Sequence, residues 1–296
     1  MKIFDCFMYF DEEIVLDLRL NLLDKYVDHF VIVESNATHK GEKRTLKFDI
    51  SKYKKFQKKI IYLVFDQKNQ NKLNLDGIKD RNQLDIKIIQ NAIKIENAQR
   101  NYIFQGLELA KNEDLILISD VDEIPNLDGI NFYNIKEKLI FFNQLMFSYK
   151  FNLMVPNFNW IGTKGCKKKH LLSPQWLRNT KHKKYPFYRL DTLFSKLKYT
   201  SIRKIENGGW HFTNIKNAED IKYKFESYLH HREFDLKPLS VSQINNLIQN
   251  KQMIYDLSAD QRINKIGSGG QLKKIGLEKL PKYIIDNLEK FKMWMN

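Results

Sequence analysis

The sequence predicts an α/β protein with a mostly parallel central sheet flanked by helices. A strand-like stretch at residues 2–8, an amphipathic helical pattern at residues 12–26 and a second strand-like stretch at residues 28–34 follow one another. A strand, a helix and a strand within about 35 residues form a βαβ unit, whose strands pair in parallel by default. Apolar runs at residues 59–65 and 115–118 predict the third and fourth strands, so strands and helices alternate along the first half of the chain.

The later elements follow a less regular pattern. Residues 83–111 carry apolar side chains at helical spacing, residues 139–155 alternate as strands do, and residues 192–202 have a strand-like composition. Further helices are predicted at residues 217–231, 241–256 and 281–294. These elements complete an α/β domain that ends in helices.

Length and composition indicate a globular protein. The chain has 296 residues, of which 43% are hydrophobic and 13% aromatic, enough for a sizeable core. No apolar run reaches the roughly 18–20 residues of a membrane-spanning helix, and Asp5 interrupts any signal-peptide core. We therefore expect a cytoplasmic protein. Cys6 and Cys166 are too few for a disulfide framework and lack the neighbours of a zinc site.

The net charge of +15 is unevenly distributed along the chain. Eleven Lys or Arg and no Asp or Glu lie between Lys138 and Arg189, and we call residues 138–190 the basic block. Such a block favours an anionic partner: nucleotide phosphates, an acidic glycan, a phospholipid surface or nucleic acid. Its interleaved aromatic residues, such as Trp160 and Trp176, are typical of a nucleic-acid surface and also stack on sugars. The structural alternative is a loop-rich region packed on the sheet with its lysines outward.

Two acids one residue apart follow the predicted fourth strand. Residues i and i+2 of an extended backbone point the same way, so Asp120 and Asp122 place two carboxylates side by side. The carboxyl end of a buried strand is where ligands bind in open α/β sheets. The repulsion between the two anions favours a Mg²⁺ or Mn²⁺ ion that carries phosphate oxygens. The alternative is a polar turn between a strand and a loop. In either case Pro125 prevents simple continuation of the strand.

Other polar residues are weaker candidates for a ligand site. Glu34 and Ser35 end the second strand, where they either contact a nucleotide base or ribose or form a capped turn. Arg100, within the helix predicted at 83–111, suits a diphosphate because its planar fork matches phosphate oxygens, although it also suits a solvated helix face. His211 follows two glycines that predict a tight turn approaching a ligand, and it gains weight if it lies near the two acids.

Three segments of the chain together resemble one known family. The segments are Phe30-Val31-Ile32-Val33-Glu34-Ser35-Asn36, Gln99-Arg100-Asn101 leading to Ile118-Ser119-Asp120-Val121-Asp122-Glu123-Ile124-Pro125, and Gly209-Trp210-His211-Phe212. Their order and spacing resemble glycosyltransferase family 17, the family of β-1,4-mannosyl-glycoprotein 4-β-N-acetylglucosaminyltransferase. The similarity runs over residues 2–235.

The resemblance implies a GT-A-like domain at residues 1–235, with residues 236–296 as a helical C-terminal extension packed on it. It also implies a nucleotide-sugar donor, UDP-GlcNAc in the known enzyme, and inversion at the anomeric carbon. Unlike the animal enzyme, this sequence shows no membrane anchor or lumenal stem. We therefore expect a surface polysaccharide, a lipid-linked glycan or a capsid-type glycan as the acceptor, and peripheral contact with an anionic surface is compatible with the basic block.

The resemblance assigns roles to particular residues. Donor binding falls to Glu34, Ser35, Gln99, Arg100, Asn101 and Asp120. Asp120, Asp122 and His211 are the expected metal ligands, and the imidazole of His211 favours Mn²⁺ over Mg²⁺. An inverting transfer also needs a carboxylate that accepts the proton of the acceptor hydroxyl. The candidates for this base are Glu206, Asp191 and Glu123, with Glu206 preferred.

Two other functions are compatible with the same residues. A metal-dependent phosphoryl-transfer enzyme or nuclease also uses paired Asp, although it usually gathers more carboxylates around two metals than this sequence shows. A nucleic-acid-binding protein would use the basic block, with steeply salt-dependent affinity. The resemblance favours the glycosyltransferase over both.

Overall fold

The computed structural model of the protein describes residues 1–70, 72–183, 185–186, 188–228, 231–257 and 266–296. The strands are β1 (Ile3–Tyr9), β2 (His29–Ser35), β3 (Ile60–Phe65), β4 (Leu115–Asp120), β5 (Glu123–Pro125), β6 (Leu139–Ser148), β7 (Leu153–Lys167), β8 (Ile202–Ile205), β9 (Gly209–Thr213) and β10 (Lys273–Lys274). The helices are α1 (Glu13–Leu23), α2 (Arg81–Asn101), α3 (Pro174–Asn179), α4 (Asp191–Phe194), α5 (Ala218–Ser227), α6 (His231–Leu236), α7 (Val241–Gln249), α8 (Lys282–Asp286) and α9 (Leu288–Phe291).

The first half of the chain forms a parallel sheet. Strand order across the whole sheet is β3-β2-β1-β4-β7-β6-β9-β5, with β8 beside β6 and β10 beside β7. Strand β1 pairs in parallel with β2 and β4, and β2 pairs in parallel with β3. The carboxyl ends of these four strands therefore meet at one edge, as the predicted βαβ unit requires. The predicted α/β class with helices flanking the sheet is confirmed.

The second half of the sheet returns more strand ends to the same edge. Strand β7 is antiparallel to both β4 and β6, so β6 runs in the direction of β4. Strand β9 is parallel to β6, while the short β5 pairs antiparallel with β9. In that pairing Glu123 lies opposite His211. The third segment of the family resemblance is thereby brought beside residues 120–123, which we call the acidic turn.

The fourth strand is buried on both faces, as its apolar run predicts. Leu115 and Leu117 enter the core that contains the apolar residues of α1. Ile116 and Ile118 point to the opposite core, which packs against α2 and α3. Both cysteines are buried free thiols. The acids that follow this strand are therefore carried on one of the best anchored segments of the fold.

The last residues of the chain also pack on the sheet. Strand β10 pairs with β7, and Ile284 and Phe291 are buried in the same core as α1. A third core joins Met146 of β6 to Phe225, Ile244 and other residues of the C-terminal half. Within the described ranges, no helix has the length and apolar character needed to cross a bilayer.

Several predicted element boundaries are wrong. Residues 192–202 were expected to form a strand, but the segment is α4 followed by irregular backbone, because only residues from Ile202 onward have a neighbouring strand. The loop-rich alternative for the basic block does not hold, since β6, β7 and α3 occupy much of it, and the strands predicted at residues 139–155 are present as β6 and β7. The helices predicted at 83–111, 217–231, 241–256 and 281–294 end earlier or divide into shorter helices. Residues 229 and 230, within the third of these, lie outside the described residues.

Candidate active site

A cavity of about 340 Å³ opens at the carboxyl edge of the sheet. Its walls include Tyr9 at the end of β1, Ser35 at the end of β2 and Asp120 at the end of β4. Residues of α5 and of the segment near Tyr255 form the opposite wall. The volume lies within the usual range for small-molecule sites, and the position agrees with the rule for open α/β sheets.

A buried arginine of α1 holds the acidic turn in place through hydrogen bonds to its backbone. The side chain of Arg19 is fully buried and pairs with Asp5, with Nη2 2.6 Å from Oδ1 and Nε 2.7 Å from Oδ2. Its Nη1 donates to the backbone oxygens of Asp120, Val121 and Glu123 at 3.0, 3.1 and 2.9 Å. Nη2 also donates to Ser119 Oγ at 2.6 Å. One side chain therefore donates to three backbone carbonyl groups of the turn, and the Glu123 carbonyl also accepts a hydrogen bond from Thr163 Oγ1 at 2.9 Å.

Asp120 is held by two guanidinium groups. Arg100 Nη2 lies 2.9 Å from Oδ1, and Arg178 Nη2 lies 3.1 Å from Oδ2. Burial alone raises the pKa of Asp120, but Arg178 and Arg100 outweigh it and hold this pKa well below its ordinary value. Asp120 is therefore an ionised carboxylate with a cation on each oxygen.

Asp122 has a different environment only two residues away. His211 Nε2 lies 3.5 Å from its Oδ1, and Lys224 Nζ lies 3.6 Å from its Oδ2. Burial opposes ionisation of Asp122, but His211 and Lys224 lower its pKa below the usual value. Burial likewise opposes charge on His211, yet the Asp122 carboxylate raises the imidazole pKa. The three groups face the cavity, and their charged contacts are longer than ordinary hydrogen bonds.

Glu123, one of the three candidate bases, is fully occupied by donors. Trp160 Nε1 donates to Oε1 at 2.6 Å, and Arg178 donates to both oxygens at 2.7 and 3.0 Å. The backbone N–H of Asp120 donates to Oε2 at 2.9 Å. Four hydrogen bonds to one buried carboxylate indicate a structural role, in which Glu123 orients Arg178 toward Asp120.

The other two candidate bases do not line the cavity. Glu206 is exposed in the turn before β9 and accepts a hydrogen bond from Asn143 Nδ2 at 2.6 Å. Asp191 begins α4 and pairs with Arg189 and Lys198 at 2.8 and 2.7 Å. The structure therefore does not bring either carboxylate to Asp120 and Asp122.

The residues expected to bind the donor divide into two groups. Ser35, Gln99 and Arg100 line the cavity, and Gln99 Oε1 lies 3.1 Å from His39 Nε2. Glu34 does not line it, because this buried carboxylate pairs with Arg44 at 3.0 Å and accepts two backbone N–H groups.

Asn101, the last residue of α2, also lies outside the cavity lining. Its Oδ1 accepts a hydrogen bond from the backbone N–H of Gln175 at 3.0 Å. This contact fastens the first turn of α3, the helix that carries Arg178. The family segment Gln99-Arg100-Asn101 therefore contributes both to the cavity and to its support.

The two glycines before His211 lie close to protein backbone. Gly209 has a φ of +124°, and a Cβ there would lie 2.1 Å from the backbone oxygen of Ile124. Only glycine fits this close approach of β9 to β5. The pairing of the two strands in turn sets His211 opposite Glu123 and beside Asp122.

Arg19, Arg178 and Lys224 are site residues that the sequence analysis did not identify. Arg19 left one signal, since it lies between Val15 and Leu23 on the apolar face of a helix, where a charge must be paired. Arg178 was concealed among the other cations of the basic block, and Lys224 within an amphipathic helix. Their convergence on the acidic turn comes from tertiary contacts that link residues far apart in sequence.

Much of the basic block is engaged within the protein. Lys164 is buried and donates to the backbone oxygens of Arg178 and Thr180 at 2.6 and 2.7 Å. Lys168 donates to two other backbone oxygens, and Lys167 and Lys169 pair with Glu113. These contacts leave the block less suited to nucleic acid than its sequence indicates.

A cavity at the carboxyl edge of a mostly parallel sheet, beside an acidic turn that follows the fourth strand, defines an α/β protein with a GT-A-like fold. The chain belongs to glycosyltransferase family 17, whose sequence profile matches residues 1–296. No curated protein matches the chain. The protein is therefore a glycosyltransferase that acts on a sugar donor and an acceptor, as the sequence predicts.

Proposed function

We propose that this glycosyltransferase transfers N-acetylglucosamine from UDP-GlcNAc to a hydroxyl of a glycan or glycolipid, with inversion and with Mn²⁺ or Mg²⁺ bound. The observation that carries the proposal is the cluster of Asp122, His211 and Lys224 at the cavity. The carboxylate and the imidazole are almost fully buried, yet the charged contacts of Asp122 are 3.5 and 3.6 Å long. Buried charges need close partners, and a bound ligand provides them here.

Asp122 and His211 fit a divalent cation that arrives with the donor. Among the described residues, no group of three or more His, Cys, Asp or Glu side chains can hold a metal ion without other ligands. Divalent cations at phosphate sites commonly use one or two protein groups and take the rest from phosphate and water. Asp120 is left out of this set because arginines occupy both its oxygens. When bound, the ion supplies Lewis-acid stabilisation of charge on the departing diphosphate.

Arg100 and Lys224 are the protein cations that we assign to the diphosphate. The Nε of Arg100 has no hydrogen-bond partner among the described residues, so this guanidinium retains an unused donor. Burial lowers the pKa of Lys224, but Asp122 and Glu12 outweigh it and raise that pKa, which keeps the ammonium charged. We assign the nucleoside to Ser35 and Gln99, which line the cavity together with Arg100.

Two cavity carboxylates have the geometry to accept the proton of the acceptor hydroxyl. Glu96 uses Oε1 to pair with Arg100 at 2.7 Å, and Glu12 uses Oε2 for two backbone N–H groups. Each therefore keeps one oxygen without a short contact in the described part of the chain. Replacing each in turn with Gln distinguishes them, because loss of a general base lowers kcat by about 10²–10⁴-fold. Unchanged kcat in both variants would remove both from this role.

A thermal-shift panel of nucleotide sugars, with and without Mn²⁺, tests the donor and the metal together. A ligand that binds only the folded state raises its stability. We expect UDP-GlcNAc with Mn²⁺ to raise Tm more than other nucleotide sugars, and more than UDP-GlcNAc without metal. The Asp122→Asn variant should lose the Mn²⁺-dependent part of the shift, while Glu206→Gln, outside the cavity, should retain it. Equal shifts with and without Mn²⁺ in the wild-type protein would contradict the metal assignment.

A further inference from the structure

Three of the most exposed large apolar side chains lie within seven residues of one another. Tyr188, Leu190 and Phe194 are 69%, 70% and 89% exposed. Side chains of comparable exposure elsewhere, such as Tyr133 and Met293, have no second described apolar side chain of similar exposure within seven residues. We call residues 181–198, excluding the undescribed residues 184 and 187, the exposed segment. Exposed apolar patches usually mark a binding surface, and three such side chains within seven residues indicate one here.

The exposed segment is also strongly basic. By sequence, residues 181–198 contain six Lys or Arg and one acid, Asp191. Arg189 and Lys198 pair with Asp191 at 2.8 and 2.7 Å and so neutralise this acid. Lys181, Lys183 and Lys196 are exposed beside the apolar side chains. The surface therefore presents large apolar groups within a field of positive charge.

The exposed segment is fastened to the body of the enzyme. The backbone N–H of Lys181 donates to the backbone oxygen of Leu197 at 2.8 Å, which ties the two ends of the segment together. Trp176 Nε1, on α3, donates to the backbone oxygen of Lys196 at 2.6 Å. The same helix carries Arg178, which contacts Asp120 and Glu123. A partner held by the exposed segment is therefore held next to an element of the active site.

We propose that the exposed segment docks the enzyme on an anionic lipid bilayer. Charge complementarity carries this choice, since each Lys or Arg near an acidic membrane surface strengthens binding to it. Aliphatic and aromatic side chains beside basic ones are the composition of interfacial segments, and stable peripheral binding requires both signals. Leu190 cannot stack on bases, so the surface suits lipid better than nucleic acid. Docking goes beyond the proposed reaction and does not depend on the donor.

Vesicle flotation of the full chain, without donor or metal, tests the proposal. We expect binding to vesicles that contain phosphatidylglycerol, weak binding to phosphatidylcholine alone, and release at high salt. The double variant Leu190→Ser/Phe194→Ser should lower partitioning onto acidic vesicles about tenfold or more, given the apolar area that it removes. The matched control Tyr133→Ser/Met293→Ser changes two equally exposed side chains elsewhere and should bind as the wild type does.

Thermal unfolding of each variant confirms that it is folded before the comparison is made. Failure of the wild type to bind acidic vesicles would overturn the proposal, as would equal binding by the two double variants. Binding to single-stranded RNA but not to vesicles would assign the surface to nucleic acid instead. A wild-type dimer in solution that Leu190→Ser/Phe194→Ser dissociates would assign it to a second copy of the chain. None of these outcomes bears on the donor or the metal, so docking and the proposed reaction are tested separately.

Discussion

The two aspartates of the acidic turn are alike in sequence and different in the structure. Asp120 is 38% exposed, yet two arginines contact its oxygens at 2.9 and 3.1 Å. Asp122 is only 9% exposed, and its charged partners lie 3.5 and 3.6 Å away. The more accessible carboxylate is thus the better satisfied one, whereas the buried one retains capacity for a ligand.

This contrast shows that the spacing of two acids does not define their roles. The cations around Asp120 come from α2 and α3, and Glu123 further orients one of them. The groups around Asp122 come from β9 and α5, the elements that form the far wall of the cavity. We therefore interpret Asp120 as one of the structural residues that hold the acidic turn in shape, together with Arg178 and Glu123, and we call these residues the frame. We propose that Asp122 is the group that contacts metal and donor.

The largest effect on stability and activity is expected from Arg19, because its guanidinium contacts the backbone of the turn on both sides of Asp122. Arg19→Leu leaves Asp5 as a buried carboxylate without its partner, which costs about 3–5 kcal/mol of unfolding free energy. Arg19→Lys keeps a charge for Asp5 but cannot reach all three turn carbonyls. We expect it to recover much of the stability in urea unfolding while kcat stays low at a nearly unchanged donor KM. Full kcat in Arg19→Lys would show that the turn does not depend on the guanidinium.

Asp122→Asn should be more damaging than Asp120→Asn. Loss of a preorganised electrostatic group at a reacting centre lowers kcat by about 10²–10³-fold. Asp120→Asn removes a frame residue whose arginines keep Glu123 and Glu96 as partners, so we expect a smaller loss. Sugar transfer measured over a Mn²⁺ titration separates the two, because only Asp122→Asn should also weaken the metal dependence. Identical Mn²⁺ profiles and equal losses of kcat in the two variants would contradict the separate roles proposed for Asp120 and Asp122.

The sequence predicts much of the site, and what it misses has a physical cause. Local patterns identify β4 and its carboxyl edge, so Asp120 and Asp122 are found without a structure, but the extended backbone expected to align the two side chains ends at Asp120. Periodicity cannot show which cation faces which acid, because Arg19 and Arg178 lie about 100 and 60 residues from the turn and reach it only through the fold. His211 was a conditional prediction, and the pairing of β5 with β9 meets its condition.

The fold is predicted best where the apolar pattern of the sequence is strongest. Strands β1 to β4 and α1 have strong periodicity and form near the predicted positions. The prediction fails at residues 192–202, where Leu190 and Phe194 lie beside or within an apolar run but remain exposed. Apolar composition predicts burial only when a neighbouring element covers it, and among the described residues no strand pairs with residues 192–201.

Arg178→Lys tests the Asp120 side of the comparison with a moderate effect. Lysine keeps the charge but cannot bridge Asp120 and Glu123 with a planar fork. We expect kcat to fall about tenfold, with a loss of about 1–3 kcal/mol in unfolding free energy from the unfilled acceptors. The matched variant Arg189→Lys changes an exposed arginine of the same block and should have no measurable effect on either quantity. Equal behaviour of the two variants would remove Arg178 from the frame.

Lys164, which supports the end of α3, predicts a pH-dependent difference in stability. Burial first, and Arg178 second, lower the pKa of Lys164 to about 7, whereas lysine in an unfolded chain titrates near ~10.4. Between these values the unfolded chain binds more protons, so this residue makes the unfolding free energy rise with pH. Lys164→Met should flatten that rise in urea unfolding measured across the window. A slope equal to that of the wild type would show that Lys164 titrates normally in the folded protein.

The smallest effect is expected from Glu206→Gln and Asp191→Asn. Both carboxylates lie outside the cavity lining and have partners of their own in Asn143, or in Arg189 and Lys198. We therefore expect the kcat of each variant to match that of the wild type within experimental error. A fall of about 10²–10⁴-fold in Glu206→Gln would instead identify it as the general base. That result would place the acceptor hydroxyl beside the start of β9 and would remove Glu12 and Glu96 from the role of general base.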